Sequence, residues 1–165
     1  MTGPKTIAVA YASIGSGHRV AAEAIAAEIE NLAGDTARIE LIDVLQFGAF
    51  SGAGESASPK TQSPRLARIY DAVHDGSTGL FAGALAGPFL RAAHSSFTAK
   101  LVAERPDAVV CTHVLPALLA AAAVRRGVLS GGVTGVVTDY SLGTLWPRSG
   151  LDTLCLSHEI GRAHV

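Results

Sequence analysis

Residues Ile7–Glu28, IAVAYASIGSGHRVAAEAIAAE, decide how the rest of the chain is read. They open as a short apolar run, Ile7–Tyr11, and cross a small-residue loop, Ala12–Gly17. A helical pattern follows, with Val20, Ala21, Ala24, Ile25 and Ile29 as its apolar positions. The pattern predicts strand, glycine loop and helix, with His18 at the helix entrance. Such a junction offers backbone N–H groups and the positive end of a helix dipole to whatever lies above the strand. Gly15 and Gly17 allow a tight turn and close approach to a ligand. A histidine there can take up a proton near neutral pH.

Outward from this unit, Gly34 and Asp35 stop the first helix. Ala37–Val44 (ARIELIDV) reads as a second strand, with Asp43 at its C-terminal end. Strand, helix and strand make a parallel βαβ unit. Gln46–Pro64, rich in glycine, proline and serine, reads as a long loop. Arg65–His74 has a helical pattern, Gly76–Gly87 is glycine-rich yet apolar, and Phe89–Glu104 is a further helix with Phe89, Leu90, Ala93, Phe97 and Leu101 as its stripe. Ala108–Thr112 is a short buried strand followed by His113. Pro116–Arg125 is predicted as a helix with proline in its first turn, closed by Gly127. Val133–Thr138 is another buried strand with Asp139 directly after it. Leu142–Pro147 is a loop carrying Trp146, and Leu151–Leu156 is a last strand. Strands alternating with helices predict an α/β fold, a Rossmann-like doubly wound parallel sheet. The segments after each strand share one edge, so Ser13–His18, Asp43, His113 and Asp139 are expected to converge on one crevice.

The 165 residues suffice for one domain with a core of its own. Hydrophobic residues make up 48%, charged residues 16%, and the formal net charge is −1. That balance argues against a disordered tail and against a strongly basic nucleic-acid binder. Cys111 and Cys155 are far apart and lack metal-type spacing, which favours a reducing cytoplasmic setting over a disulfide framework. The first residues lack the apolar core of a signal peptide, and no apolar run reaches the roughly 18 residues of a spanning helix.

Residue chemistry alone leaves alternatives open. Ser13, Gly15, Ser16 and Gly17 frame a loop that is neither a P-loop nor a full dinucleotide fingerprint; it faces a phosphate or is a plain turn. His18 is a general base or a polar cap. His113 is a ligand contact or the partner of a backbone carbonyl. Asp139 orients a substrate hydroxyl, raises the basicity of His18, or caps the next loop. The spacing of His18, His113 and Asp139 does not suggest a metal. A hydrolase triad lacks its G-x-S-x-G elbow. The apolar middle, Leu80–Phe97, is core or a membrane-facing patch, with Arg65, Arg68, Arg91 and Lys100 placed to meet anionic headgroups.

Three segments carry a resemblance. ASIGSGHRVAAEAI (Ala12–Ile25), PDAVVCTHVLPA (Pro106–Ala117) and VVTDYSLGTLW (Val136–Trp146) occur in order and at suitable distances. Together they resemble the N-terminal domain of the monogalactosyldiacylglycerol synthase and diacylglycerol glucosyltransferase family, related to the glycosyltransferase that forms peptidoglycan lipid II. The likeness runs from Thr6 to about Ser157. It implies the N-terminal half of a GT-B enzyme: two Rossmann-like domains with the active site between them. The implied reaction transfers a hexose from a UDP-sugar to a lipid hydroxyl, inverting the anomeric centre, with no metal or cofactor beyond the UDP-sugar co-substrate. By similarity, Ser13, Gly15, Ser16 and Gly17 match the glycine loop facing the donor diphosphate, and His18 the catalytic base. Asp139 matches the T-D aspartate and is the second catalytic residue the resemblance implies, while His113, Tyr140 and Trp146 lie on the acceptor side.

The resemblance also sets expectations about organisation. Residues 1–158 are expected to form the acceptor-side domain. The tail Glu159–Val165 (EIGRAHV) resembles a translated library adapter and is expected to be non-native, and the C-terminal donor-binding domain is expected to be missing. Implied partners are the lipid acceptor, the UDP-sugar, an anionic membrane contacted peripherally on the inner face of the cell membrane, and that second domain; nucleic acid is not among them. One departure concerns the acceptor: the family usually has a histidine where this chain has Gly143. Two other readings are a non-catalytic Rossmann-like module holding a nucleotide or phosphate, and a domain of a soluble natural-product glycosyltransferase.

Overall fold

The computed structural model describes residues 3–13, 16–47, 95–139, 146 and 150–156. Its elements are β1 (Lys5–Tyr11), α1 (Gly17–Ala33), β2 (Ala37–Asp43), helical residues 95–104 (α2), β3 (Ala108–Cys111), α3 (Val114–Arg125), β4 (Gly132–Val137) and β5 (Thr153–Leu156). The five strands form one parallel sheet in the order β2-β1-β3-β4-β5. The chain starts in β1, moves to β2 on one side, and returns to β3 on the other. The C-terminal ends of β1 and β3 therefore flank the point where the winding reverses, the place where open α/β sheets bind ligands.

Period-two alternation divides each strand between two layers. Ile7, Val9 and Tyr11 of β1 join Ile39 and Val110 beneath Ala22, Ile25, Ala26 and Ile29 of α1. Ala8, Ala10 and Ala12 point the other way, into a larger core with Phe97 and Leu101 of α2, Val109, Cys111, Val133 and much of α3. The sheet is covered on both sides, as the α/β reading requires. Burial in the second layer pushes the Cys111 thiol far above its usual pKa, so it behaves as a small apolar group.

The described elements depart from expectation at several boundaries. β1 begins at Lys5, two residues before the expected Ile7: Lys5 and Thr6 pair with Ala37 and Arg38 of β2, and Lys5 Nζ and the Thr6 N–H donate to the Asp107 carboxylate, each at 2.8 Å. Val44, Thr112 and Thr138 fall just outside their strands. Leu151 and Asp152 precede β5, and the Asp152 carboxylate accepts the Val133 N–H at 2.7 Å. The buried face of α1 is also shifted. Val20 is 56% exposed and Ala24 is exposed, whereas Ala22 is fully buried. At the start of the helix Ala22 takes the place expected of Val20 against the sheet, while Ile25 and Ile29 pack there as expected.

Helix ends follow their chemistry more faithfully. Gly34 adopts φ 52° beyond α1 and donates its N–H to Glu30. At the end of α3, Gly127 takes φ 69°, its N–H bonds to Val124 at 2.8 Å, and the Val128 N–H reaches Ala123 at 3.1 Å. That pair of bonds is a Schellman closure. Lys100 on α2 lies 2.7 Å from the Glu104 carboxylate and 3.7 Å from that of Glu40, so two acidic groups flank its charge. Arg65, Arg68, Arg91, the long loop from residue 48 onward, helix Arg65–His74, Gly76–Gly87 and the start of helix Phe89–Glu104 lie outside the described residues. So does the tail Glu159–Val165.

Candidate active site

His18 sits where the winding reverses. It is the second residue of α1 and shares the buried stripe with Ala22, Ile25 and Ile29, so its ring is directed at the sheet edge rather than away from it. Its Nδ1 lies 2.9 Å from the Thr112 carbonyl oxygen, just past β3, and 2.8 Å from Thr138 Oγ1, just past β4. A carbonyl can only accept, so Nδ1 carries the proton and Nε2 the lone pair of the neutral ring. Thr112 answers in the other direction: its hydroxyl donates to the His18 carbonyl at 2.8 Å. The first turn of α1 and the end of β3 are thus tied at two points.

His113 stands beside it, the two rings edge to face with centroids 4.6 Å apart. Sequence reasoning starts the next helix at Pro116; in the structure α3 begins at Val114 with His113 as its N-cap. The backbone of His113 is extended, and its Nδ1 accepts the Leu115 N–H at 3.1 Å. Pro116 is then the third helical residue, still within the first turn, where a missing N–H costs nothing. In neutral His113 the proton is therefore on Nε2. Neighbouring histidines hold opposite tautomers, each set by the backbone.

The other expected site residues are distributed unevenly. Asp43 is only 6% exposed, and its carboxylate accepts the Ser13 N–H at 3.2 Å and the Leu45 N–H at 3.0 Å. It fastens the start of the glycine loop to the end of β2. Ser13 is half-buried there, while Ser16 and Gly17 are exposed at the start of α1. Ser16 is the N-cap by position, since its carbonyl accepts the Val20 N–H at 2.9 Å, but its side chain makes no capping bond. Asp139 is half-buried and directly follows Thr138. Trp146 is 3% exposed and belongs to the larger core; a side chain at Gly135 of β4 would collide with its ring. Gly15, Tyr140 and Gly143 lie outside the described residues. Among the described residues no three histidine, cysteine or acidic side chains come together as a metal site, and no helix is long and apolar enough to cross a membrane.

Sequence reasoning did not single out Thr112 and Thr138. The available signal is that each is the residue between a buried strand and an expected site residue, Thr112 before His113 and Thr138 before Asp139. Both occupy the last position before the chain leaves the sheet edge, where a short hydroxyl side chain can reach across to a neighbouring element.

Comparison with known proteins agrees with this architecture. A family model for monogalactosyldiacylglycerol (MGDG) synthase matches residues 18–164, beginning at His18 itself. No curated protein and no solved structure matches the chain. With the match spanning most of the sequence, and with the doubly wound sheet and its loop histidine in place, the chain belongs to the monogalactosyldiacylglycerol synthase family of glycosyltransferases.

Proposed function

We propose that this domain is the acceptor side of a glycolipid-forming hexosyltransferase, the N-terminal half of a GT-B enzyme that works peripherally at the inner face of the cell membrane. The acceptor is diacylglycerol or a similar lipid hydroxyl and the donor a UDP-sugar, held largely by a second domain. His18 Nε2 takes the proton of the acceptor hydroxyl. The freed oxygen attacks the anomeric carbon from the face opposite UDP. The bond from that carbon to the diphosphate oxygen breaks, its electron pair leaves with UDP, and the configuration inverts. The developing charge on the diphosphate faces Ser13, Gly15, Ser16 and Gly17 at the α1 N-terminus, where the helix dipole favours an anion. Asp139 acts beside His18 in catalysis, and His113, Tyr140 and Trp146 shape the acceptor side.

One observation carries the reading: the Thr112 carbonyl holds His18 Nδ1–H, so the ring's basic atom is Nε2, at the edge where α/β sheets bind ligands. A base so oriented does not need to change tautomer before it accepts a proton. The test is sugar transfer by the enzyme carrying this domain together with its donor-binding half. His18→Ala is expected to lower kcat by about 100-fold or more. A near-normal rate removes His18 from the role of base.

A further inference from the structure

We infer that Thr138 is a positioning residue: its hydroxyl and the Thr112 carbonyl form an uncharged clamp that fixes the His18 ring with Nδ1 protonated and Nε2 basic. Three atoms make the clamp. His18 Nδ1 lies 2.9 Å from the Thr112 carbonyl oxygen and 2.8 Å from Thr138 Oγ1, and the two oxygens are 3.3 Å apart. There are two ways to place the protons. If the Thr138 hydroxyl gave its proton to Nδ1, the carbonyl would face a lone pair at hydrogen-bond distance with no proton between them. If Nδ1–H is shared between both oxygens and the Thr138 hydroxyl donates to the carbonyl, all three contacts are satisfied. Only the second arrangement is electrostatically consistent.

A histidine base is often oriented by a third group on its other nitrogen. Here that work falls to a carbonyl and a hydroxyl from two different strand ends. The clamp serves both protonation states. When Nε2 takes a proton, Nδ1–H stays where it is, and the new positive charge meets two oxygen dipoles already in place. Because Thr112 also donates to the His18 carbonyl, a displaced ring cannot be followed by its partner without breaking the α1–β3 tie. The contact between His18 and Thr138 bridges 120 positions of sequence, so the base is oriented only when β4 is docked beside β3. For turnover this rests on His18 acting as the base; the tautomer itself does not.

The test is a long-range 1H–15N correlation spectrum of the histidine rings in the 15N-labelled 165-residue chain, with the His18 signals identified by their loss in His18→Gln. The wild-type ring is expected as the Nδ1–H tautomer. Thr138→Val is expected to move it toward a mixture with the Nε2–H form, and Thr138→Ser to retain the wild-type pattern. In the transfer assay, Thr138→Val is expected to lower kcat about 10-fold, the scale of one hydrogen bond to a charged group, with the acceptor KM little changed; Thr138→Ser restores the rate. An Nε2–H ring in the wild type overturns the clamp even if His18→Ala abolishes turnover, and so does a Thr138→Val protein with wild-type tautomer and rate. If Thr138→Val does not fold, the wild-type tautomer decides. A normal rate in His18→Ala would instead remove the base reading and leave the tautomer result standing.

Discussion

Two helices leave the same edge of the sheet and treat their N-termini in opposite ways. At α3 the first-turn donors that follow Val114 are taken up by the fold. The His113 ring takes the Leu115 N–H, Pro116 has none to offer, and the Ala117 N–H already bonds to the His113 carbonyl at 3.4 Å. At α1 the N-cap Ser16 has an αR backbone, φ −91° and ψ −22°, and its hydroxyl caps nothing. A capped end is a structural joint, because its donors are satisfied and its dipole is partly masked. An end whose cap residue leaves the donors alone keeps its capacity for an anion. The two histidines follow the same division. His113 turns Nδ1 inward to cap its own helix, while His18 turns Nδ1–H to the Thr112 carbonyl.

That contrast can be broken in order of effect. The largest change is expected at the capped junction. His113→Ala should lower stability by at least about 1 kcal/mol for the lost N-cap, with a further loss for the cavity left by a buried ring, read as a lower urea midpoint. His113→Asn, which can cap, should recover the first part but not the second. An unchanged midpoint in His113→Ala would mean the ring does not support α3. At the open junction, Ser16→Ala should change stability by no more than about 0.5 kcal/mol, as for a surface side chain without a partner. A loss near that of the N-cap would show that Ser16 caps α1 after all, and the two junctions would no longer differ.

The smallest effect lies at the opposite edge of the sheet and serves as a control. The Lys5 ammonium, and next the Thr6 N–H, hold the Asp107 carboxyl below its ordinary range. Its folded pKa is lower than its unfolded one, so its contribution is fully present above the unfolded value, about 4, and is lost as pH falls through the folded value. The unfolding midpoint of the wild type should therefore drop more steeply below about pH 4 than that of Asp107→Asn. Both groups are substantially exposed, so the difference should be small and shrink further in high salt. Parallel curves would show that this pair adds nothing to stability.

Where local pattern decides, the chain was legible. The five strands lie within one or two residues of their expected bounds, and the central ones are the short apolar runs that doubly covered parallel strands require. Gly34 and Gly127 marked true helix ends, since the left-handed backbone there is costly for other residues. The start of α3 was not legible, because histidine is outside the usual set of N-caps and Pro116 gave the stronger signal. The face of α1 was legible at Ile25 and Ile29, which pack against the sheet, and not at the helix start, where Val20 faces out and Ala22 faces in. Asp43 stood at an expected ligand-facing position, yet its carboxylate is bound to the backbone of Ser13 and Leu45.

The order of elements, the parallel sheet and membership of the family were all determined by the linear sequence, since periodicity, breakers and motif order are properties of neighbours along the chain. Which nitrogen of His18 carries the lone pair, which histidine caps a helix and that Thr112 and Thr138 contact the His18 ring were decided only by the tertiary structure. The contacts of His18 with Thr112 and Thr138 span 94 and 120 positions. They exist because the register of β1, β3 and β4 sets three strand ends side by side, and a hydrogen bond depends on that placement to within a few tenths of an ångström. No local pattern in the opening stretch, Ile7–Glu28, carries information at that precision.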